Sequence, residues 1–272
     1  MHSMTPEANP GPPGFASPPK PIVEARGLAK TFSISGSEVT ALEGVDLSIR
    51  RGEFISFVGP SGCGKSTFLN MVAGLLSPTG GEALVNGVAV REPSRQVGFM
   101  FQTPVLLPWR TVEQNVLMPA EVFGRKDKAV RDKARSVIEA VGLGGFVGAY
   151  PRQLSGGMQQ RVALARILTY EPEVLLMDEP FGALDEFTRE AMNLELMRIT
   201  RAAGITVLFV THNITEAVFM SDRVVVMTPR PGKVSGMVDI ALPRPREIGL
   251  MQKQAFADLI FEVRGILGHG HG

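Results

Sequence analysis

Residues 59–67 read GPSGCGKST. Three glycines in nine residues are expensive in an ordered element, because glycine gives up the most backbone freedom on folding. The flanks explain the density. Before the loop stands FISFVG, Phe54 to Gly59, an apolar run of strand length; after it stands FLNMVAGLL, Phe68 to Leu76, apolar at helical spacing. Gly59, Gly64, Lys65 and Ser66 fit G-x-x-x-x-G-K-[ST], here between a strand and a helix as that motif requires. In such a loop, bare backbone N–H groups ring a phosphate chain and the following helix aims its positive end at the anion. Lys65 is expected to reach the β- and γ-phosphates and Ser66 to ligate Mg²⁺. Pro60, Ser61, Gly62, Cys63 and Thr67 complete the ring. Cys63 is read as incidental, not as a nucleophile.

The rest of the composition narrows the class. The chain has 272 residues and a formal net charge of +1, which suits one large α/β domain or one with a subdomain. Without a basic bias, nucleic-acid binding has no support. A single cysteine excludes an internal disulfide framework and fits a reducing compartment. No apolar run approaches the roughly 18 residues of a membrane span. Residues 1–20, rich in Pro and Gly without an apolar core, read as a disordered tail, not a secretory signal. The terminal GHGHG, with His269 and His271, reads as a frayed end more readily than a metal site. A soluble cytoplasmic protein is the expectation.

Working outward, Ile22 to about Ile55 reads as an opening β segment, and ALVNGVAV (83–90) as a hairpin around Asn86–Gly87. Val97–Phe101 is a further strand. The pattern then turns helical over about 103–170. Thr111 with Gln114 forms a capping box, and Met118–Pro119 is expected to end that helix. Residues 126–141 form an amphipathic helix stopped by Gly142, and another helix follows Ser155–Gly157. Strands at 174–177, 205–210 and 223–227 alternate with helices at 186–203 and after Asn213, where Glu216 completes a cap. Residues 250–267 read as a final amphipathic helix. Alternation of this kind predicts a mostly parallel sheet covered on both faces, with 103–170 as an inserted helical subdomain, 21–246 as the main domain and 247–272 as a C-terminal helix and frayed end.

Two further stretches carry chemistry. VLLMDEP, Val174 to Pro180, is a buried strand ending in two acids. Asp178 is placed to hold Mg²⁺ through water, and Glu179 to polarise an attacking water. Ordinary polar capping is the alternative for an isolated acid pair, but a phosphate loop in the same chain argues for a site at the strand ends. LSGGMQQR, Leu154 to Arg161, opens a helix with Ser155 as N-cap and Gly156 and Gly157 baring its N-terminus. That end is either a plain helix start or an anion site. Since this chain has one phosphate loop, an anion site there suggests completion by another copy of the protein.

Together these segments resemble the nucleotide-binding subunits of ABC transporters over about residues 22–245. GPSGCGKST resembles their Walker A loop, LSGGMQQR their signature motif (with Met158 where Gln is usual), VLLMDEP their Walker B strand and GALD, Gly182 to Asp185, their D-loop. Gln102 in MFQTP matches the Q-loop glutamine and His212 in VTHN the switch histidine. Phe32 in AKTF, where Tyr is commoner, matches the aromatic that stacks on adenine. Asn213 stands where Asp is usual; either residue caps a helix. The resemblance implies a P-loop NTPase core of the ABC type, with a mostly parallel sheet, an N-terminal antiparallel β segment and the helical insertion.

The same resemblance implies a head-to-tail homodimer with ATP sandwiched between one subunit's Walker A loop and the other's signature residues Ser155, Gly156, Gly157 and Gln159. Mg²⁺ would be held by Ser66, Gln102 and Asp178. Glu179, His212 and Gln102 would be catalytic, and Asp185 would serve the dimer contact. Longer likenesses, LLPWRTVEQNV (106–116), AYPRQLSGGMQQR (149–161), LLMDEPFGALDEFTRE (175–190), EAVFMSDRVVVMTPRPGKV (216–234) and LPRPR (242–246), are similar to importers of nitrate, aliphatic sulfonates and taurine. They imply an ATPase at the cytoplasmic face of the cell membrane, with integral permease subunits and a separate periplasmic or lipid-anchored solute-binding protein. Leu106, Leu107 and Trp109 either line a groove for a permease helix or pack in the helical core. The rival readings are a soluble ABC ATPase acting on a non-transport partner and another P-loop enzyme such as a kinase. Ribosomal cassettes usually come in pairs, DNA-repair types carry a long coiled coil, and a kinase needs no LSGG.

Overall fold

The computed structural model describes residues 20–34, 36–125 and 127–269. The N-terminal tail, apart from Lys20, lies outside the described residues, as does His271. Two sheets sandwich one helix, with the remaining helices on the far side. The first sheet is antiparallel, ordered β2-β1-β4-β5, from β1 (Val23–Ile34), β2 (Ser37–Ile49), β4 (Gly80–Val85) and β5 (Val88–Ala89). The second holds β3 (Phe54–Val58), β6 (Val97–Met100), β7 (Val174–Asp178), β8 (Thr206–Val210), β9 (Arg223–Met227) and β10 (Val234–Asp239), ordered β10-β9-β3-β8-β7-β6. Five of its strands are parallel and β10 is an antiparallel edge. The mostly parallel sheet and the antiparallel N-terminal β segment are those expected above.

Sequence dictates which strands are interior. FISFV of β3 and TVLFV of β8 are buried at every residue, as strands with both faces covered must be. Helix α1 (Lys65–Val72) fills the space between the sheets through Phe68, Leu69, Met71 and Val72. The other face carries α2 (Val112–Val122), α3 (Lys128–Ala140), α4 (Gly156–Leu168), α5 (Glu186–Ala202), α6 (Ile214–Met220) and α7 (Gln254–His269). Helices α2, α3 and α4 lie in sequence between β6 and β7.

Several local expectations are met. Asn86 and Gly87 both take positive φ, 52° and 75°, so the two-residue turn joining β4 to β5 has the twist such a hairpin requires. Thr111 and Gln114 form the reciprocal capping box. Pro119 is a correction, because α2 runs through it to Val122. A proline costs a helix one hydrogen bond, but Val112, Val116 and Ala120 form a buried stripe at i, i+4 and i+8 that holds the helix on the core. Strand β10 was not expected from the sequence. Burial alternates along its residues VSGMVD, but Gly236 on the inner side and exposed Met237 on the outer hide that alternation in the sequence. Helix α7 starts at Gln254, after a 3-10 turn over Ile248–Gln252.

Candidate active site

The register of the parallel strands aligns the ends that carry chemistry. Phe57 and Asp178 both pair with Val210, and Val58 pairs with Val226. The phosphate loop, the Asp178–Glu179 pair and His212 therefore leave the sheet side by side, at the carboxyl ends where open α/β sheets bind ligands. A cleft of about 270 Å³ lies here, lined by Phe32, the loop residues, Glu179 and Arg230, with Val39 and Ala41 from β2.

Gly64 caps α1 in a left-handed conformation, φ 97°, and a Cβ on it would lie 2.8 Å from the Ala41 carbonyl oxygen. Only glycine fits both constraints. Lys65 follows, 6% exposed. Its Nζ donates to the carbonyl oxygens of Gly59 (2.7 Å) and Pro60 (2.9 Å) and approaches Cys63 Sγ at 3.5 Å. Among the described residues it makes no ion pair. A buried ammonium held only by neutral groups is an anion site by its electrostatics. Cys63 is buried beside it, which removes the exposed thiol that a nucleophile needs.

Ser66 Oγ donates to Asp178 Oδ1 at 2.9 Å. Burial pushes the Asp178 carboxyl above its ordinary range; the Ser66 hydrogen bond opposes this, Glu179 adds to it, and Lys65 counteracts it. A hydroxyl and a desolvated carboxylate facing one point form a hard-oxygen donor set suited to Mg²⁺. Glu179 has φ 45°, unusual outside glycine and worth on the order of 1 kcal/mol of strain. Its amide donates to the Val210 carbonyl at 3.0 Å, which fixes the turn. Its Oε2 lies 3.3 Å from His212 Nδ1. Beneath the histidine, Glu216 accepts from Thr211 Oγ1 (2.5 Å) and Asn193 Nδ2 (3.0 Å). So the expected cap at α6 is one-sided: Asn213 Oδ1 accepts the Glu216 amide at 3.1 Å, while the Glu216 side chain turns to Thr211 and Asn193.

Gln102 stands exposed after β6. A Cβ on Gly182 would lie 3.7 Å from its Nε2 and 3.8 Å from Glu179 Oε2, so both side chains flank the start of the GALD turn. The Gln102 side-chain amide makes no hydrogen bond among the described residues, whereas its carbonyl accepts from Gln160 Nε2 at 2.8 Å. Phe32 lines the cleft with Lys30 Nζ 5.3 Å from its ring centroid.

The LSGG residues lie outside this cleft. Ser155 caps α4, accepting the Met158 amide at 3.3 Å. Gly157 is buried, and a Cβ there would lie 2.9 Å from Thr188 Cγ2, so it is small in order to pack on α5. Gly156 is exposed and a Cβ there would meet nothing within 4 Å, so no contact among the described residues explains it. Gln159 turns back, donating to the carbonyls of Pro151 (3.1 Å) and Leu154 (3.3 Å). Asp185 caps α5, and its hydrogen bond from Thr188 holds its carboxyl below the ordinary range. The open choice about 106–109 divides by residue: Trp109 is 70% exposed, while Leu106 packs against the core. Leu107 lines an apolar groove of about 380 Å³ with Phe101, Val105 and Val122, all three exposed.

Sequence reading missed Arg230 and Gln160. Neither has a local signal, because each is identified by what lies across from it in space.

Comparison with known proteins identifies the family. A family model described as ABC transporter matches residues 42–182. The chain is 48% identical over 225 residues to an uncharacterised ABC transporter ATP-binding protein of Methanocaldococcus jannaschii, covering 83% of this chain and 84% of that one. It is 48% identical over 217 residues to the aliphatic sulfonates import ATP-binding protein SsuB of Bacillus subtilis, covering 80% and 84%. A bicarbonate transport ATP-binding protein of Synechocystis is 44% identical over 230 residues, 83% of this chain but 34% of that longer one. Among solved structures, the dimeric post-hydrolysis state of the ATP-binding cassette MJ0796, bound to ADP and Pi, superposes with a TM-score of 0.72 at 34% identity, covering 81% of this chain and 100% of that one. With that match spanning most of the sequence, and with a phosphate loop, an acid pair and a histidine at aligned strand ends, this chain belongs to the ABC transporter family as one of its ATP-binding, ATP-hydrolysing subunits.

Proposed function

We propose that this ATPase powers uptake of a small anion, such as an aliphatic sulfonate, taurine or nitrate, working as a homodimer beneath integral permease subunits on the cytoplasmic face of the membrane. The observation that carries the catalytic part is the buried Lys65, which makes no ion pair among the described residues, beside the Ser66–Asp178 and Glu179–His212 pairs. The names of the sulfonate and bicarbonate relatives support the solute class. A solute-binding protein would deliver the anion to the permease.

In this reading Lys65 and the loop amides bind the β- and γ-phosphates, and Phe32 stacks on the base. Ser66, Gln102 and Asp178 would hold Mg²⁺, which when bound neutralises phosphate charge. Glu179 orients the attacking water and accepts its proton at a carboxylate oxygen. His212, already against Glu179 Oε2, keeps that carboxylate aimed and contacts the γ-phosphate. Ser155, Gly156, Gly157 and Gln159 of a second copy close over the nucleotide, with Asp185 at the dimer contact. Little covalent work is asked of the protein, since phosphoryl transfer needs positioning and charge stabilisation. Helices α2 to α4 act as the inserted subdomain, and the groove at Phe101, Val105 and Leu107 receives a permease helix. No described helix is long and apolar enough to cross a membrane, so membrane attachment in this reading goes through that groove.

The test is uptake of labelled taurine, an alkanesulfonate and nitrate in a strain lacking this gene, complemented with wild type or Glu179→Gln. Loss of uptake of one solute, restored by wild type alone, supports the reading. Unchanged uptake of all three removes the anion-importer assignment.

A further inference from the structure

Arg230 is a cation to which the reading above gives no task. It lies in the turn 228–233 between β9 and β10. That turn is closed on itself: the Thr228 amide donates to the Lys233 carbonyl (2.9 Å), the Lys233 amide to Thr228 Oγ1 (3.0 Å), and Thr228 Oγ1 to the Pro231 carbonyl (3.1 Å). The turn is also fastened to β2. Gly232 N donates to the Ala41 carbonyl at 2.9 Å, and Glu43 N donates to the Gly232 carbonyl at 3.0 Å. Gly232 presses on the phosphate loop so closely that a Cβ there would lie 1.8 Å from the Cys63 carbonyl oxygen. Turn, β2 and phosphate loop therefore hold one another, and the arginine is rooted in a fixed backbone.

From that root the guanidinium lies over the loop. Its Nε donates to the Gly62 carbonyl at 3.3 Å, and its Nη2 is 3.1 Å from where a Cβ of Gly62 would stand. It lines the same cleft as Phe32, Lys65 and Glu179. Among the described residues it makes no ion pair and no other hydrogen bond. A guanidinium has five N–H donors in a planar fork that matches phosphate oxygens, and one donor is used here. The carboxylates at the site are engaged elsewhere, Asp178 with Ser66 and Glu179 with His212.

We propose that Arg230 is a second cation of the nucleotide site, clamping the phosphates of a nucleoside di- or triphosphate from the outer side of the loop. This rests on the reading of the cleft as the nucleotide site. In this proposal Arg230 meets the phosphates that di- and triphosphate share, not the transferring γ-phosphoryl group, so it stabilises bound nucleotide and transition state about equally. Such uniform binding shows in Kd and KM, not in kcat.

The experiment compares full-length wild type, Arg230→Ala, Arg230→Lys and Lys65→Ala by calorimetric titration with ATP and with ADP, both with Mg²⁺, at low and high salt. Steady-state ATPase and unfolding of the nucleotide-free proteins are measured in parallel. Arg230→Ala is expected to weaken both nucleotides about tenfold, the size of one charge-assisted contact, with kcat within about twofold of wild type. Arg230→Lys should fall between, keeping the charge but losing the fork. Wild-type affinity should drop more steeply with salt than that of Arg230→Ala. Affinity of Arg230→Ala within about twofold of wild type overturns the inference. So does a loss that Arg230→Lys does not relieve, with a matching fall in nucleotide-free stability, because Arg230 would then merely brace the Gly62 carbonyl. If Lys65→Ala alone weakens binding, the site stands and only Arg230 is excluded. If wild type binds neither nucleotide, the reading of the cleft fails, and this inference with it.

Discussion

Asp178, assigned above to the candidate Mg²⁺ site, is a carboxyl that works against its own fold. Burial raises its carboxyl pKa, and the neighbouring Glu179 adds to the rise. A carboxyl whose folded pKa is raised favours the protonated form on folding, so its penalty is absent below the unfolded carboxylate pKa and grows as pH rises through the folded one. Asp178→Asn should therefore unfold at a higher temperature than wild type at pH 7 to 8 without nucleotide, and the difference should shrink as pH falls into the carboxylate range. The same variant should lose Mg²⁺-dependent hydrolysis. A thermal melt series across pH checks the sign, and a gap that widens in acid contradicts it. Glu179→Gln separates the neighbouring role: it should bind ATP near wild-type affinity while hydrolysis falls at least about a hundredfold, as removal of a general base does. Near-wild-type turnover in that variant would dismiss Glu179 as the base. Residues of this kind were legible from sequence because their chemistry is local, a glycine-bared loop or two acids at the end of an apolar strand. Arg230 and Gln160 were not, since TPRPGK and MQQR show neither what they reach for nor across which gap.

At the scale of elements, Gln160 ties two pieces together. From α4, five residues after the Ser155 cap, it donates to the Gln102 carbonyl at 2.8 Å, and its own buried Oε1 has no hydrogen-bond partner among the described residues. The helix that begins at LSGG is thus joined directly to the segment carrying Gln102. Gln160→Leu fills similar space and removes the orphaned oxygen, but leaves the Gln102 carbonyl without this donor. Stability should change by no more than about 1–2 kcal/mol, while ATP turnover falls with nucleotide affinity kept. Turnover equal to wild type would reduce Gln160 to packing. The LPRPR segment gains a physical reason too. Arg246 is buried, donates to the carbonyls of Val218 (3.1 Å) and Phe219 (2.7 Å) at the end of α6 and to Ile240 (3.3 Å), and burial draws its pKa down to about 10. Arg246→Ala should destabilise the fold by roughly 2–4 kcal/mol in urea titration, from several carbonyls left unpaired. Alternation of strands and helices made the parallel sheet legible. Helix α2 running past Pro119 and the edge strand β10 were not, because tertiary contacts, a buried stripe in one case and a sheet edge in the other, overrule the local pattern.

For the whole molecule, the helix end at Ser155 and Gly156 has no evident partner among the described residues and lies outside the cleft of the phosphate loop. Gly156 is exposed and a Cβ there would meet no described residue within 4 Å, Ser155 is exposed at the same helix end, and Phe187 is 85% exposed two residues after Asp185. A large exposed aromatic beside a bare helix N-terminus is expected of a surface that a second copy covers. A head-to-tail dimer makes a sharp genetic prediction. Lys65→Ala disables a phosphate loop, and Gly156→Asp puts a negative charge where the partner's phosphates would come, so either homodimer should be inactive. In a mixed dimer, the intact loop of the Gly156→Asp subunit faces the intact helix end of the Lys65→Ala subunit. One whole site is thereby restored and the other carries both defects. Mixing the two purified variants should give ATPase activity clearly above the sum of the separate preparations, and light scattering should show dimers that form with ATP. Activity equal to the sum would mean that loop and helix end serve within one chain or not together, and the composite site would have to be abandoned. A single chain cannot display such a symmetry: among the described residues, those lining the cleft around the phosphate loop do not include Ser155 or Gly156, so in this reading only a second copy would bring the two together.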